Sequence, residues 1–543
     1  MKKPHFIKTV LFAFIFAGIS FTTKAQEANE PMQTGQFEPT WQSLQQYKVP
    51  DWFRNAKFGI WAHWGPQCQP EQGDWFARFM YAEGSRENKW FTENIGTTSE
   101  FGFKDICNAW KAEKWDPEAL VKLYKNAGAR YFFAMGNHHD NFDMWNSKYQ
   151  PWNSVAIGPK KDIIDGWEKA ARHNGLYFGV SIHSAHAWRF YETAQGADKT
   201  GAKAGIPYDG KLTKADGKGK WWEGLDPQDL YVQNHPLSEN SQDLSSIHRQ
   251  WNWDNGVSIP TVKYCNNFYD RTVDLINKYN PDLLYFDDTA LPLWPVSDAG
   301  LRIAAHFYNH NAKTHNGKQQ GVIFGKILAP EQKKCILWDV ERGAPDKIQE
   351  IPWQTCTCIG EWHYRRSVYD QNRYKSAGTV IQMLADIVSK NGNLLLNIPV
   401  RGNGTIDEKE LKVVEEIGKW MAINKEGIYD TRPWKVFGEG PSADNSNPIN
   451  GQGFNEGKTK YTSKDIRFTT KKGILYAIVL GWPTDGKIVI KSLSNNNPLY
   501  PKKVKQVEML GSGKVQFTTS SEGLTVTIPT QKAIETAFIL KIN

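Results

Sequence analysis

Arg130-Tyr131-Phe132-Phe133-Ala134-Met135-Gly136-Asn137-His138 is the stretch that decides the fold. Its apolar residues run on without alternating with polar ones, and a histidine closes it. A strand buried on both faces reads this way, and such strands belong to parallel sheets. Seven runs of the same kind accompany it: Phe58–His63 before it, then Tyr177–His183, Asp282–Asp288, Gly321–Ile327, Cys335–Glu341, Thr355–Gly360 and Asn393–Ile398. Helix signals lie between the runs. Asp116-Pro117-Glu118 places an N-cap before a proline at the first helical position. Leu120 and Leu123 make an apolar face, and Gly128 is a stop. Eight β/α units in about 350 residues predict a (β/α)8-type barrel.

Beyond the barrel, Asp407-x-x-Glu410 opens a further helix with Leu411, Val414, Ile417 and Met421 on one face. Residues 439–460 are rich in Gly, Asn, Ser and Pro and read as a linker or long loop. Short alternating runs follow: Ile466–Thr469, Leu475–Leu480, Lys487–Ile490, Val504–Met509, Val515–Thr518, Leu524–Ile528 and Ala537–Ile542. They predict a C-terminal β-sandwich of roughly seven strands. The expected plan is a leader over 1–25, a barrel domain over 35–435 and the sandwich over 436–543.

The leader is read from Lys2 and Lys3, the apolar run Val10–Ala17, and the small-x-small site Thr23-Lys24-Ala25. These are the parts of a bacterial secretory signal peptide, so a periplasmic or secreted protein is expected. The run is too short to span a membrane, and no cysteine at the cleavage site suggests a lipid anchor. The formal charge of +8 includes four leader lysines. The remainder, about +4, is too weak to argue for nucleic acid. The six cysteines hold no C-x-x-C pair, so no zinc site is expected; only Cys356-x-Cys358 is close enough for a local pair. Aromatics make up 13% of the chain, enough for a large core and also for ring faces that stack on sugars.

In a parallel barrel, functional groups sit at the C-terminal strand ends. Those ends carry His63, His138-His139, His183, Asp287-Asp288, Glu341 and Glu361. No G-x-S-x-G, H-E-x-x-H or Walker loop occurs. Residue types alone leave three chemistries open. One is metal-assisted hydrolysis with His63, His138, His139 and Asp287 as ligands. Another is proton abstraction beside a carbonyl. The third is glycoside hydrolysis by two carboxylates.

Longer blocks resemble one family. Lys57-Phe58-Gly59-Ile60-Trp61-Ala62-His63-Trp64-Gly65 resembles the first barrel strand of glycoside hydrolase family 29, the α-L-fucosidases. Asp74-Trp75-Phe76-Ala77-Arg78-Phe79-Met80-Tyr81 is similar to a segment that usually shows Glu-Trp-Tyr. Asn126–Tyr131 leading to His138-His139-Asp140-Asn141-Phe142 looks like its "AGAKY…HHDGF". Trp145-x-Ser147 and Gly158-Pro159-Lys160-Lys161-Asp162 follow in order. Phe286-Asp287-Asp288 looks like the nucleophile strand "WFDG", and Val388–Ile398 like the last barrel strand. Ile428-Tyr429, Arg432-Pro433 and Ile466–Thr470 carry the likeness into the C-terminal domain.

The resemblance implies a secreted retaining exo-glycosidase that removes terminal α-L-fucose from oligosaccharides or glycoconjugates. It implies Asp287 as nucleophile and Glu341, in Trp338-Asp339-Val340-Glu341-Arg342, as acid/base, with Glu361 as the rival acid. Gln354 stands where many members show Glu, and an amide cannot supply the proton. His63, Asp74, Trp75, His138 and His139 match sugar-binding positions. No cofactor, catalytic metal, nucleic-acid partner or membrane anchor is implied. Two departures stand out. Asp74 is one methylene shorter than the family's Glu. Phe178-Gly179-Val180-Ser181-Ile182-His183-Ser184, matched to the family's fourth strand, puts Ser and His where aromatics usually stand. That leaves room for a hydroxyl at C6, so α-L-galactosidase activity is one alternative, and a non-catalytic fucose-binding protein is another. An insertion between Trp188 and Trp253 carries Lys199, Lys203, Lys211, Lys214, Lys218 and Lys220, then Trp221-Trp222. It is expected to be either a solvated loop or a cationic lid at the mouth of the site.

Overall fold

The computed structural model describes residues 28–241, 243–244, 247, 251–444, 448–449, 453–457, 459–529 and 536–543. The expected leader lies outside the described residues. Eight parallel strands close into a barrel in chain order: β1 (Phe58–Ala62), β2 (Tyr131–Asn137), β3 (Tyr177–Ile182), β4 (Leu283–Thr289), β5 (Val322–Lys326), β6 (Leu337–Glu341), β7 (Trp353–Cys358) and β8 (Gly392–Asn397). The ring shuts where β1 pairs with β8, Phe58 opposite Leu394 and Trp61 opposite Asn397.

The apolar runs do not alternate because both faces of each strand are covered. Trp61, Phe133, Tyr285 and Phe324 point into the barrel and pack on one another. Their chain neighbours Ile60, Phe132, Leu284 and Ile323 point outward, into the core under the helices. Those helices include α1 (Pro117–Asn126), α2 (Ile163–His173), α3 (Val262–Tyr279), α4 (Ala299–Thr314), α5 (Ala377–Ser389) and α6 (Glu408–Asn424). Asp116 caps α1 by accepting from the Ala119 amide at 3.0 Å. Asp407 and Glu410 form the reciprocal box at the start of α6, each side chain accepting from the other's amide at 2.9 Å. Not every strand has its helix. Among the described residues, β5 connects to β6 through a single 3-10 turn, Gln332–Lys334, and β6 reaches β7 without a helix. These connections are too short to hold a helix and its two loops.

The C-terminal domain is built of two antiparallel sheets. With β13 (Val507–Met509), β14 (Gly513–Lys514) and β15 (Phe517–Thr519) among them, one holds six strands in the order β14-β13-β17-β11-β10-β9, and the other three in the order β12-β16-β15. The larger sheet is centred on β10 (Ile466–Lys471), β11 (Ile474–Val479) and β17 (Phe538–Ile542), and the smaller on β12 (Lys487–Ile490) and β16 (Leu524–Thr527). Phe468, Leu475 and Leu540 of the first meet Ile488, Ile490 and Val526 of the second in one core. β9 (Arg432–Glu439) crosses the expected 435/436 boundary and pairs with β10.

Three expectations change. Tyr177–Ile182 is the third strand, not the fourth, so the 188–253 insertion joins β3 to β4. The described part of that insertion is organised. Asp209 is buried inside it and accepts from Tyr81 and Tyr231 hydroxyls at 2.6 Å and from Lys104 at 2.8 Å. Cys356 and Cys358 remain thiols, as do the other four cysteines, all buried. The first donates to Asp339 at 2.9 Å and the second to the Gly360 carbonyl at 3.1 Å.

Candidate active site

The two-residue period of the strands carries the barrel's inner core straight into a cavity. Inward-facing Trp61, Tyr285, Phe324 and Asp339 are followed two residues later by His63, Asp287, Lys326 and Glu341. All four of the latter line a cavity of about 760 Å³ at the C-terminal ends of the strands. Asp74, Trp75 and His138 line it as well, and His139 stands behind, its Nε2 at 3.3 Å from Asp287 Oδ2. The resemblance-matched residues therefore meet in one place.

Asp287 sits in a ring of nitrogen. Its Oδ2 faces His139 Nε2 and, at 3.4 Å, His183 Nδ1; its Oδ1 accepts from the Lys326 ammonium. His139 is aimed there because its Nδ1 donates to the His183 carbonyl at 2.8 Å. Burial alone would raise the Asp287 pKa. The Lys326 charge and the two imidazoles outweigh it and hold the carboxyl well below the usual range. Lys326 donates to Glu341 as well. One ammonium can touch two carboxylates only if they lie within two hydrogen-bond lengths, about 5–6 Å. Glu341 goes the other way. Burial raises its pKa, and Lys326 only partly offsets this. The Trp362 indole donates to its second oxygen at 3.2 Å. Arg342, the neighbour on the chain, turns instead to Glu456 at 3.1 Å.

Asp288 follows the strand's alternation and leaves the barrel. It is 1% exposed, and His186 Nε2 lies 3.1 Å from its Oδ1. His186 in turn is stacked on Trp251 and Trp253, with ring centroids at 3.8 and 4.8 Å. Glu361 reaches the cavity too, where it pairs with Arg365 at 2.5 Å. Gln354 lies deeper and donates to Asp339 at 2.8 Å.

The histidines are packed against each other with few partners. Ring centroids of His63 lie 5.0 Å from His138 and 5.1 Å from His183. Both ring nitrogens of His63, and Nε2 of His363, are buried without a hydrogen-bond partner. Burial lowers the pKa of His63 and His138 well below the ordinary value and that of His183 to about 4. Neutral imidazoles that both donate and accept suit hydroxyl groups. Trp75 holds a left-handed backbone, φ 59°, and its ring meets His139 edge-on at 6.0 Å.

Sequence reasoning missed Lys326, Trp362, His363, Phe454 and Glu456, all placed in or beside the site. Lys326 lay in a run read only as a strand, though its spacing two after Phe324 was a signal. Asp74 accepts from His363 Nδ1 at 2.6 Å. The supposed linker comes back to the barrel: the Phe454 amide donates to the Glu341 carbonyl at 2.7 Å, and Glu456 accepts from Lys375 and Arg342. Gly453, φ 145°, allows this approach, since a Cβ there would fall 1.9 Å from the Glu341 carbonyl oxygen.

The described part of the lysine-rich insertion does not cover the cavity as a lid. None of its six lysines lines it. Lys203 pairs with Glu100 at 2.7 Å, and Lys220 lies over the ring of Trp222, which is 2% exposed. The Trp221 indole donates to Asp105 at 2.8 Å. Among its described residues, Trp251 reaches the cavity wall.

A family model described as alpha-L-fucosidase matches residues 24–426, and one described as alpha-L-fucosidase C-terminal domain matches 459–543. The tissue alpha-L-fucosidase of Mus musculus is 24% identical over 534 residues, covering 93% of this chain and 94% of that protein. The plasma alpha-L-fucosidase of Homo sapiens is 25% identical over 507 residues, covering 91% and 88%. Among solved structures, a Thermotoga maritima alpha-L-fucosynthase in complex with alpha-L-Fuc-(1-2)-beta-L-Fuc-N3 is similar with a TM-score of 0.68 at 23% identity, covering 94% of this chain and 100% of that one. Alpha-L-fucosidase isoenzyme 1 from Paenibacillus thiaminolyticus gives 0.59 at 20%, covering 92% and 99%. No described helix is long and apolar enough to cross a membrane.

Proposed function

Because the chain belongs to the alpha-L-fucosidase family and is a glycoside hydrolase of fucosyl linkages, we propose that it works by double displacement with Asp287 as nucleophile and Glu341 as acid/base. The observation that carries this is the Lys326 ammonium, which touches both carboxylates inside one cavity. A separation of about 5–5.5 Å suits a retaining pair; an inverting pair needs room for a water between them. The opposed pKa shifts fit the two roles. Asp287, held low, is ionised and ready to attack. Glu341, held high, keeps a proton to give.

In the first step an Asp287 oxygen bonds to C1 of the fucosyl unit. The bond from C1 to the leaving oxygen breaks, and Glu341 protonates that oxygen. In the second step Glu341, now a carboxylate, takes a proton from water. The water oxygen bonds to C1, and the bond to Asp287 breaks. His63, His138, His139 and Asp74 hold sugar hydroxyls, and Trp75 supplies an apolar wall. Glu361, already paired with Arg365, serves the rim rather than the proton transfer. The leader makes the enzyme periplasmic or secreted, acting on fucosylated glycans.

Proton NMR of an aryl α-L-fucoside digest tests this: the first-formed sugar should be the α anomer. An early β product excludes double displacement. A second reading is favoured by His183, whose Nε2 is buried without a partner beside Asp287. It can bind a hydroxyl at C6, so α-L-galactosides belong in the substrate panel. Turnover of the galactoside above the fucoside would reverse the preference.

A further inference from the structure

His63, Asp74, His138 and His363 converge on one wall of the cavity. One ligand-capable atom from each lies within 4.8 Å of the other three. We propose that these four side chains form a binding site for a divalent transition-metal ion of the zinc class, and that the ion excludes the sugar and so inhibits the hydrolysis. The competition with sugar rests on the reading of His63, Asp74 and His138 as sugar ligands. The metal binding does not.

Three imidazoles and one carboxylate are a donor set for a borderline-soft cation. With bonds of about 2.0–2.2 Å, tetrahedral ligand atoms stand about 3.3–3.6 Å apart. Small side-chain rotations close a 4.8 Å spread to that range. The rings already face one another, with centroids of His63 and His363 at 4.7 Å and of His138 and His363 at 4.8 Å. The nitrogens a metal needs are available. Both of His63 and Nε2 of His363 lack partners, on side chains 3% and 0% exposed. A buried polar atom without a partner is costly, and a ligand removes that cost.

An outer layer also fits. His363 Nδ1 donates to Asp74 at 2.6 Å, so these two ligands already stand side by side. The Gln67 amide lies 2.9 Å from His138 Nδ1 and fixes the third ring. The Asp74 side chain is 25% exposed, so the cluster opens to the cavity mouth. His363 belongs to none of the segments that carried the family resemblance, so this cluster is not a reuse of the sugar ligands alone.

The test uses the full chain without a histidine tag, zinc chloride as the probe, and equilibrium dialysis with bound metal quantified. One zinc per chain should bind, and fucose should displace it. Zinc should raise the apparent KM of an aryl fucoside without changing kcat. Dialysis against EDTA should leave turnover undiminished. His363→Gln, checked for folding by circular dichroism, should weaken zinc binding by at least about tenfold. If that variant does not fold, His63→Gln replaces it with the same expectation. Binding that is substoichiometric, or equal in wild type and folded variant, overturns the site. Zinc that fucose does not displace overturns the competition. Activity lost to EDTA and restored by zinc overturns the inhibitory role. A chain that binds zinc displaceably yet hydrolyses no fucoside keeps this site and loses the proposed mechanism, so the two failures are told apart.

Discussion

Lys326→Met removes one charge and little volume from the centre of the site. Lys326 is 3% exposed and donates to Asp287 and Glu341. Without it, two carboxylates about 5 Å apart repel by about 3 kcal/mol at an effective dielectric of about 20. That is about two pKa units, which falls on Glu341 because its pKa is already raised by burial. The sign follows. A carboxyl with a raised folded pKa binds its proton more tightly when folded, so stability falls as pH climbs from the unfolded pKa to the folded one. The variant should be close to wild type near about pH 4.5 and lose roughly 3 kcal/mol by neutral pH, in line with breaking a buried ion network. Urea unfolding at a series of pH values measures this. The same change moves the alkaline limb of kcat/KM upward by about two units, because Glu341 keeps its proton longer, and lifts the acid limb, because Asp287 loses its counter-ion. A variant that loses the same stability at every pH, with both limbs unmoved, refutes the electrostatic role of Lys326.

Glu341→Gln should cost about 10²–10⁴ in kcat on natural glycans and less on aryl fucosides with good leaving groups. Glu361→Gln should change either substrate by less than about tenfold; the reverse pattern would transfer the acid role to Glu361. Replacing the six insertion lysines by Gln should affect sulfated and neutral fucosides alike, since none lines the cavity; a loss confined to sulfated substrates would restore the lid.

The barrel was legible because each strand is sealed on both faces, and unbroken apolar runs such as Arg130–His138 have few other uses. Strand ends then pointed to His63, Asp287 and Glu341 without any contact being known. Lys326 was harder. A lysine closing an apolar strand reads as a solvated end, and only the closed ring puts its ammonium between two acids from neighbouring strands. His363 and Trp362 follow β7 in an irregular segment, where periodicity says nothing of direction. The 439–460 stretch has linker composition, yet the same glycines let its residues 453–457 lie against β6. The insertion misled for the opposite reason. Its lysines suggested a mobile cationic lid, while Asp209 and Trp222 anchor it within the fold.

The identity of the nucleophile is the central claim, and Asp287→Gly with sodium azide tests it most directly. The variant should lose turnover of an aryl α-L-fucoside by about 10⁴-fold or more. Azide, fitting the space left by the carboxylate, should restore activity and yield the β-L-fucosyl azide. No rescue of Asp287→Gly, together with azide rescue of Asp288→Gly, would contradict the assignment and move the nucleophile one residue along β4.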